Sequence, residues 1–294
     1  MLRLKLNDEL WSKLRKIMLQ HRIYDKPNLR KMVEAMLYRM RVGCPWRDPP
    51  AEFGCWNTIY QQFNRWSSKN ILMQIFNGLV QEPDLEWAFI DGSIVKAHQH
   101  SAGAPNKEIQ AIGKSVAGNT TKIHRAVDAC GFAIAFQLPG GEVHDAKAAP
   151  ELIKILPITD YTIADKGYDS EEIRDHIKQR SSIPIIPRKK NSKTGNTDID
   201  RGLYKYRHLV ENILARLKHF RAIATRYDQL KRNYASMLAM ACSYLAFHVM
   251  RTTEMITLML SPNLNNKEEK WNHFMFISWR VSAMVLCMPV QHLL

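Results

Sequence analysis

The stretch Trp87-Ala-Phe-Ile-Asp91-Gly-Ser-Ile-Val-Lys-Ala-His98 sets a carboxylate inside a run of apolar and β-branched residues. Such a run reads as a strand. An unpaired carboxylate inside a strand is costly, so Asp91 is either paired or bound to a cation. Whatever fold the chain takes must bring a partner to that residue.

The segments after Asp91 describe a mixed α/β layer fold. Residues 101–121 read as a polar loop of small residues. A second strand is expected at Lys122–Asp128 and a third at Phe132–Leu138. The Ala-Cys-Gly turn between them and the Pro-Gly-Gly after them are short-range β signals. Ala146–Leu156 reads as a helix stopped by Pro157. Tyr161-Thr-Ile-Ala-Asp165 reads as a short fourth strand, with Asp165 at its C-terminal end. Ser170-Glu-Glu has the pattern of a capped helix start. Ser182-Ile-Pro-Ile-Ile-Pro reads as a fifth strand, and its prolines place it at a sheet edge. If strand four enters parallel beside strand one, Asp91 and Asp165 become neighbours at the C-terminal edge, a common location for a site.

Tyr204 to Lys218 contains no Gly or Pro and reads as one helix. At 100° per residue, Tyr206, Val210, Ile213, Leu217 and Phe220 form an apolar stripe. Tyr204, Arg207, Glu211 and Lys218 share another face, roughly 120° away by the same geometry. Taken alone, that face is also consistent with ordinary solvated ion pairs. Residues 234–260 continue as an apolar helix.

Residues 1–80 read as helical. Leu10, Trp11, Leu14, Ile17 and Met18 keep helix spacing, as do Leu29, Met32, Val33, Met36, Leu37 and Met40. After the Pro/Gly-rich loop Gly43–Gly54, Trp56, Ile59, Tyr60, Phe63 and Trp66 form a further stripe. Trp46, Trp56 and Trp66 are expected in the core. With Arg39, Arg41, Arg47, Arg65 and Lys69 alongside, the pattern is compatible with a helix-turn-helix-like DNA-binding module or with a plain helical bundle.

Charge narrows the class of partner. The chain carries 42 Lys+Arg against 28 Asp+Glu, a net charge of +14. Residues 178–232 hold 15 basic and 4 acidic side chains, a net of +11. A polyanion such as nucleic acid is the expected partner. The five cysteines are widely spaced with no CxxC, which argues against a zinc site or a disulfide framework. No secretory signal is read at the start. The run from Phe274 to Val290 is broken by Arg280 and is short for a membrane span. A cytoplasmic protein is expected.

Three carboxylates, Asp91, Asp165 and Glu211, thus come from three separate elements. Clustered carboxylates need cations or raised pKa values, and oxygen ligands select Mg2+ or Mn2+. Two such ions suit phosphodiester chemistry. His98 and His100 read as structural or DNA-contacting, and His124 and His144 as hydrogen-bonding support. Asp128 and Asp169 lie near strand ends as weaker candidates.

The spacing Tyr204-x2-Arg207-x3-Glu211-x6-Lys218 resembles the Y-R-E-K motif of DDE transposases in the IS-four superfamily. Ile90–His100 and Ala164–Asp169 resemble the first- and second-Asp segments of the bacterial IS-five family, and the leader with Gly43-Cys-Pro-Trp-Arg-Asp-Pro-Pro is similar to its N-terminal domain. The resemblance covers roughly residues 5–255. It implies an RNase H-like mixed five-stranded sheet with flanking helices at 84–257, an all-α N-terminal domain at 1–82, and a C-terminal tail, 258–294, that departs from the family pattern and is expected to be poorly ordered. It implies Asp91, Asp165 and Glu211 as catalytic metal ligands for two ions, Mg2+ or Mn2+. Arg207 and Lys218 would contact DNA, and Tyr204 would position DNA or pack the site. The implied function is insertion-sequence transposition, with double-stranded DNA at the element ends and target as partner, a homo-oligomer on DNA, and a place on the bacterial nucleoid. The rival readings are a non-catalytic DNA-binding protein and an RNase H-like nuclease that does not transpose.

Overall fold

The computed structural model describes residues 6–79, 85–103, 110–190, 192, 195–196 and 199–260, with side chains as far as residue 247. Of the tail expected to be poorly ordered, residues 261–294 lie outside the described residues. The first helices are α1 (Asp8–Gln20), α2 (Leu29–Val42), α3 (Trp56–Ser68) and α4 (Ile71–Leu79). Asn7 starts α1 with a side-chain acceptor for Leu10 N at 2.8 Å, satisfying one of the amides left open at a helix start. Ile59, Phe63 and Trp66 of α3 are buried. Trp56 is not in the core as expected: it is exposed, with the Arg47 guanidinium over its ring. Helix α2 is joined to α3 by Gly43–Cys55, far longer than the three- or four-residue turn of a helix-turn-helix.

The sheet is built from β1 (Trp87–Ala97), β2 (Gly113–Ser115), β3 (Gly118–Val127), β4 (Ala133–Gln137), β5 (Tyr161–Ala164), β6 (Ile183–Ile185) and β7 (Thr225–Arg226). Among the described residues it has seven strands, not five, in the order β2-β3-β1-β5-β6, with β4 also on β3 and β7 also on β1. The additions are short. Strand β2 turns back onto β3 through Val116-Ala117 in the segment expected to be a loop, and β7 pairs parallel with Lys96–Ala97. Strand β1 runs antiparallel to β3 and parallel to β5. The proline-bearing β6 is an edge, as its missing donors require.

Helices α5 (Asp145–Ile155) and α6 (Glu171–Gln179) cover one face, packing with Ala88, Ile90, Ala126 and Ala164. The other face, with Phe89, Val95 and Val127, packs with α8 (His208–Lys218) and α10 (Lys231–Leu260). Burial on both sides explains why β1 is almost continuously apolar. This mixed sheet with flanking helices, behind an all-helical N-terminal region, fits an RNase H-like α/β fold.

The stretch 204–218 is not one helix. It divides into α7 (Arg201–Lys205) and α8. Between them Tyr206, Arg207, Leu209 and Val210 donate to carbonyls three residues back, the tighter winding of a 3-10 turn. Tyr206 stacks on Trp87 with ring centroids 5.3 Å apart, and Arg207 turns toward Asp91. The apolar stripe holds past the break: Val210, Ile213, Leu217 and Phe220 are buried.

The N-terminal helices share this core. Arg39 donates from two nitrogens to Asp228 at 3.3 and 3.2 Å, and both side chains are buried. Arg39 is therefore a cross-link and not one of the basic groups available to DNA. Gly43 ends α2 at φ 70°, and a Cβ there would come within 2.8 Å of Arg221 Cβ in α9 (Arg221–Ala224). Removing one partner of a buried ion pair leaves the other uncompensated. Asp228→Ala is expected to lower unfolding free energy by about 3–5 kcal/mol, measured by denaturant titration. The double variant Arg39→Met/Asp228→Leu is expected to recover most of that loss.

Candidate active site

The last rung of parallel pairing between β1 and β5 joins Ile90 to Ala164. The next residue on each strand is an aspartate, Asp91 and Asp165, so the sheet delivers the two carboxylates side by side. Asp165 also starts the turn that follows: its Oδ1 accepts from Gly167 N at 2.8 Å. Asp91 is mostly buried and faces α8. Arg125 of β3 donates from one nitrogen to Asp91 Oδ2 at 3.1 Å and to the Val210 carbonyl at 2.8 Å. One guanidinium thus ties β3, β1 and α8 together around Asp91.

Arg207 is the second cation. Its guanidinium lies 3.6 Å from Asp91 Oδ1 and also pairs with Glu211. Burial pushes the Asp91 pKa above the usual carboxylate range; Arg125 and Arg207 oppose this, and the Asp165 charge adds to it. The structure therefore brings Asp165 to Asp91 through the sheet and Glu211 to Asp91 through Arg207. Among the described residues, no three His, Cys, Asp or Glu side chains converge closely enough to hold one ion as they stand. The donor set nevertheless fits a hard divalent cation: the donors are carboxylate oxygens, Asp91 and Asp165 repel each other, and a positive group already bridges Asp91 and Glu211.

Beneath β1, on the side of α5, lies a second polar layer. His124 Nδ1 is 2.7 Å from Tyr168 Oη. Burial is the largest cause holding the His124 pKa down to about 4, with the neighbouring Asp145 opposing it and Lys122 and Arg125 adding to it. Tyr168 is buried, and burial together with the charges of Asp145, Asp91 and Asp165 raises its phenol well above its ordinary range. Lys122 Nζ sits 3.0 Å from Asp145 Oδ1. Gly92 leaves the room for this layer: a Cβ there would meet Asp145, His124 and Tyr168 at 3.0–3.1 Å.

Tyr204 is partly buried against the core with Arg207 over its ring at 6.0 Å. Lys218 is exposed at the last turn of α8. Asp169 is taken up elsewhere, accepting from Arg174 at 2.8 Å and from Lys189 N at 2.7 Å. Asp128 accepts from Phe132 N in the β3–β4 turn. His98 starts a short 3-10 turn and stacks on Tyr227. His144 precedes α5 with no side-chain cap bond. Arg125, Asp145 and Lys122 were not singled out by sequence. For Lys122 and Arg125 the signal is present in Lys122-Ile-His-Arg125, where charge falls on both faces of an otherwise buried strand and so requires partners.

Two family models match the chain. One, described as a putative transposase of IS4/5 family, covers residues 6–76, and the other, a transposase DDE domain, covers residues 83–246. An uncharacterized protein from Sinorhizobium fredii is 34% identical over 102 residues, which are 34% of this chain and 82% of that one. A putative transposase for insertion sequence element IS6501 from Brucella ovis is 30% identical over 128 residues, 42% of this chain and 95% of that one. The cryo-EM structure of a piggyBac transposase synaptic complex with hairpin DNA aligns over 99% of this chain and 82% of that chain at 8% identity, with a TM-score of 0.44, too low to establish a shared fold.

Gly92→Ala tests the packing beneath Asp91. The added methyl has to displace Asp145, His124 and Tyr168 by a few tenths of an ångström. Overpacking of this kind costs about 1–3 kcal/mol, so thermal melting should show a lower midpoint than wild type.

Proposed function

We propose, for a chain that belongs to the DDE transposases of the IS4/5 type, that Asp91, Asp165 and Glu211 hold the divalent ions of its reaction. The protein is a transposase of an insertion sequence, an enzyme that cleaves DNA strands with divalent metal and transfers them. The observation that carries the assignment of residues is the pairing of β1 with β5, which ends one residue before both aspartates. The shared guanidinium of Arg207 supports Glu211 as the third member.

We read two ions, Mg2+ or Mn2+, as held by this set. Bound there, they would activate a water or a 3′-hydroxyl and stabilise the leaving oxygen. The chain's own groups prepare the place. Arg125 fixes the Asp91 carboxylate through its second bond to the Val210 carbonyl. Arg207 bridges Asp91 and Glu211 and would be free to pair with a DNA phosphate if divalent ions took over the charge of those carboxylates. Lys218, two turns beyond Glu211, takes a neighbouring phosphate. Tyr204 packs beside Arg207 and limits where its guanidinium can go.

Double-stranded DNA, at element ends and at the target, is the partner this charge distribution supports. The 1–82 helical region, the 84–257 catalytic region and the 258–294 tail are read as its parts. We assign recognition of the ends to the first, with exposed Arg65 and Lys69 among the groups available for phosphate. Joining two ends calls for a homo-oligomer on DNA, at the nucleoid. No helix among the described residues is long and apolar enough to cross a membrane.

The test is cleavage and strand transfer on DNA carrying the element's ends, in Mg2+ or Mn2+. Asp91→Ala, Asp165→Ala and Glu211→Ala should each lower the rate about a thousandfold or more, because metal stabilisation of the transition state is worth several kcal/mol. Asp169→Ala should keep activity within about tenfold of wild type, since its bonds to Arg174 and Lys189 are structural. Equal loss in Asp169→Ala and Asp165→Ala would overturn the choice of ligand. Lys218→Ala should weaken DNA binding and reduce the salt slope of affinity by about 1, read from binding isotherms across salt concentrations.

A further inference from the structure

Asp145 opens α5 on the side of the sheet away from Asp91, and the ligand set above does not include it. Two glycines show how close it comes. A Cβ on Gly167 would lie 2.9 Å from Asp165 Oδ1 and 3.1 Å from Asp145 Oδ2. A Cβ on Gly92, next to Asp91, would lie 3.0 Å from Asp145 Oδ1. Asp145 and Asp165 therefore present oxygens to the same small volume, one from α5 and one from the end of β5. Like charges brought near each other are stabilised by a cation or by protonation of one of them.

Two further groups stand against the other oxygen of this carboxylate, Asp145 Oδ1. Lys122 Nζ stands 3.0 Å from Asp145 Oδ1 while donating to the Val143 carbonyl at 2.8 Å. The His124 side chain has no exposed surface, and its Nε2 makes no hydrogen bond while facing Asp145 Oδ1 at 3.6 Å. A buried polar atom without a partner calls for a water or an ion to complete it.

We propose that Asp145 is a further acidic residue of the metal site, facing one divalent ion together with Asp165, with Lys122 supplying the positive charge there while the ion is absent. This rests on the reading of Asp165 as a metal ligand. Carboxylate oxygens suit Mg2+ or Mn2+, which keep several waters of their own. His124 can donate from Nε2 to Asp145 Oδ1 or to one of those waters, orienting the carboxylate so that Oδ2 is turned toward Asp165. Gly92 and Gly167 leave the space for Asp145 to approach.

The experiment is a titration of the metal-free, full-length protein with Mn2+ alone, with bound ion read by electron paramagnetic resonance and folding checked by circular dichroism. Asp145→Asn is expected to weaken Mn2+ binding by about tenfold or more, the loss typical when a partner around a metal ligand is removed. Asp165→Asn should also weaken it. Lys122→Gln removes a competing cation and should tighten binding several-fold. If Asp165→Asn loses affinity and Asp145→Asn does not, the role of Asp145 is overturned and the three-carboxylate reading stands. If neither variant changes affinity, both fall. Should Asp145→Asn fail to fold, Lys122→Gln decides: unchanged or weaker binding contradicts the proposal, because a purely structural ion pair would not compete with metal.

Discussion

Asp91 is an acid placed where water is scarce, and much of the structure answers that constraint. Its strand lies between two helical layers, so its charge cannot be left to solvent. Arg125 reaches it from β3 and Arg207 from the head of α8. Each guanidinium makes a second contact that fixes other elements: Arg125 with the Val210 carbonyl, Arg207 with Glu211. The orientation of α8 on the sheet therefore depends on the same carboxylate that is proposed as a metal ligand. Buried pairs of this kind contribute little net stability, because desolvation offsets attraction. Their effect is to fix geometry.

The break before α8 follows from this. An uninterrupted helix from Tyr204 would keep Arg207 on a uniform 100° spiral. The tighter turn at 206–210 instead lets Tyr206 stack on Trp87 while Arg207 faces Asp91. The buried Val210, Ile213, Leu217 and Phe220 then hold the helix against the sheet. The site is also braced from far away. Arg39 of α2 and Asp228 form a buried pair just beyond β7, and β7 itself pairs with the end of β1. The N-terminal helices thus share one core with the sheet that carries Asp91.

Period and composition made the main elements readable. Five strands carry apolar or β-branched residues bounded by turn residues, and their apolar character left the parallel pairing of β1 with β5 open as one arrangement. The two missed strands are three and two residues long, too short to show an alternation. The helix break was hidden because it comes from tertiary contacts of Tyr206 and Arg207, and propensity at 204–218 gives no sign of it. Arg39 illustrates the same limit: a basic residue on a helical face reads as solvent-facing until the distant Asp228 is brought to it. The metal-site candidates were readable because an acid inside a strand demands a partner. Asp145 was not, because it sits at a helix start, where an acidic residue is ordinarily explained by the helix dipole.

A crystal structure of the protein with Mn2+ and DNA bearing an element end tests the central claim most directly. Anomalous density should lie between Asp91, Asp165 and Glu211, with the Arg207 guanidinium moved from its bridging place onto a phosphate. Arg207 still joining Asp91 to Glu211, with anomalous density elsewhere, would contradict it.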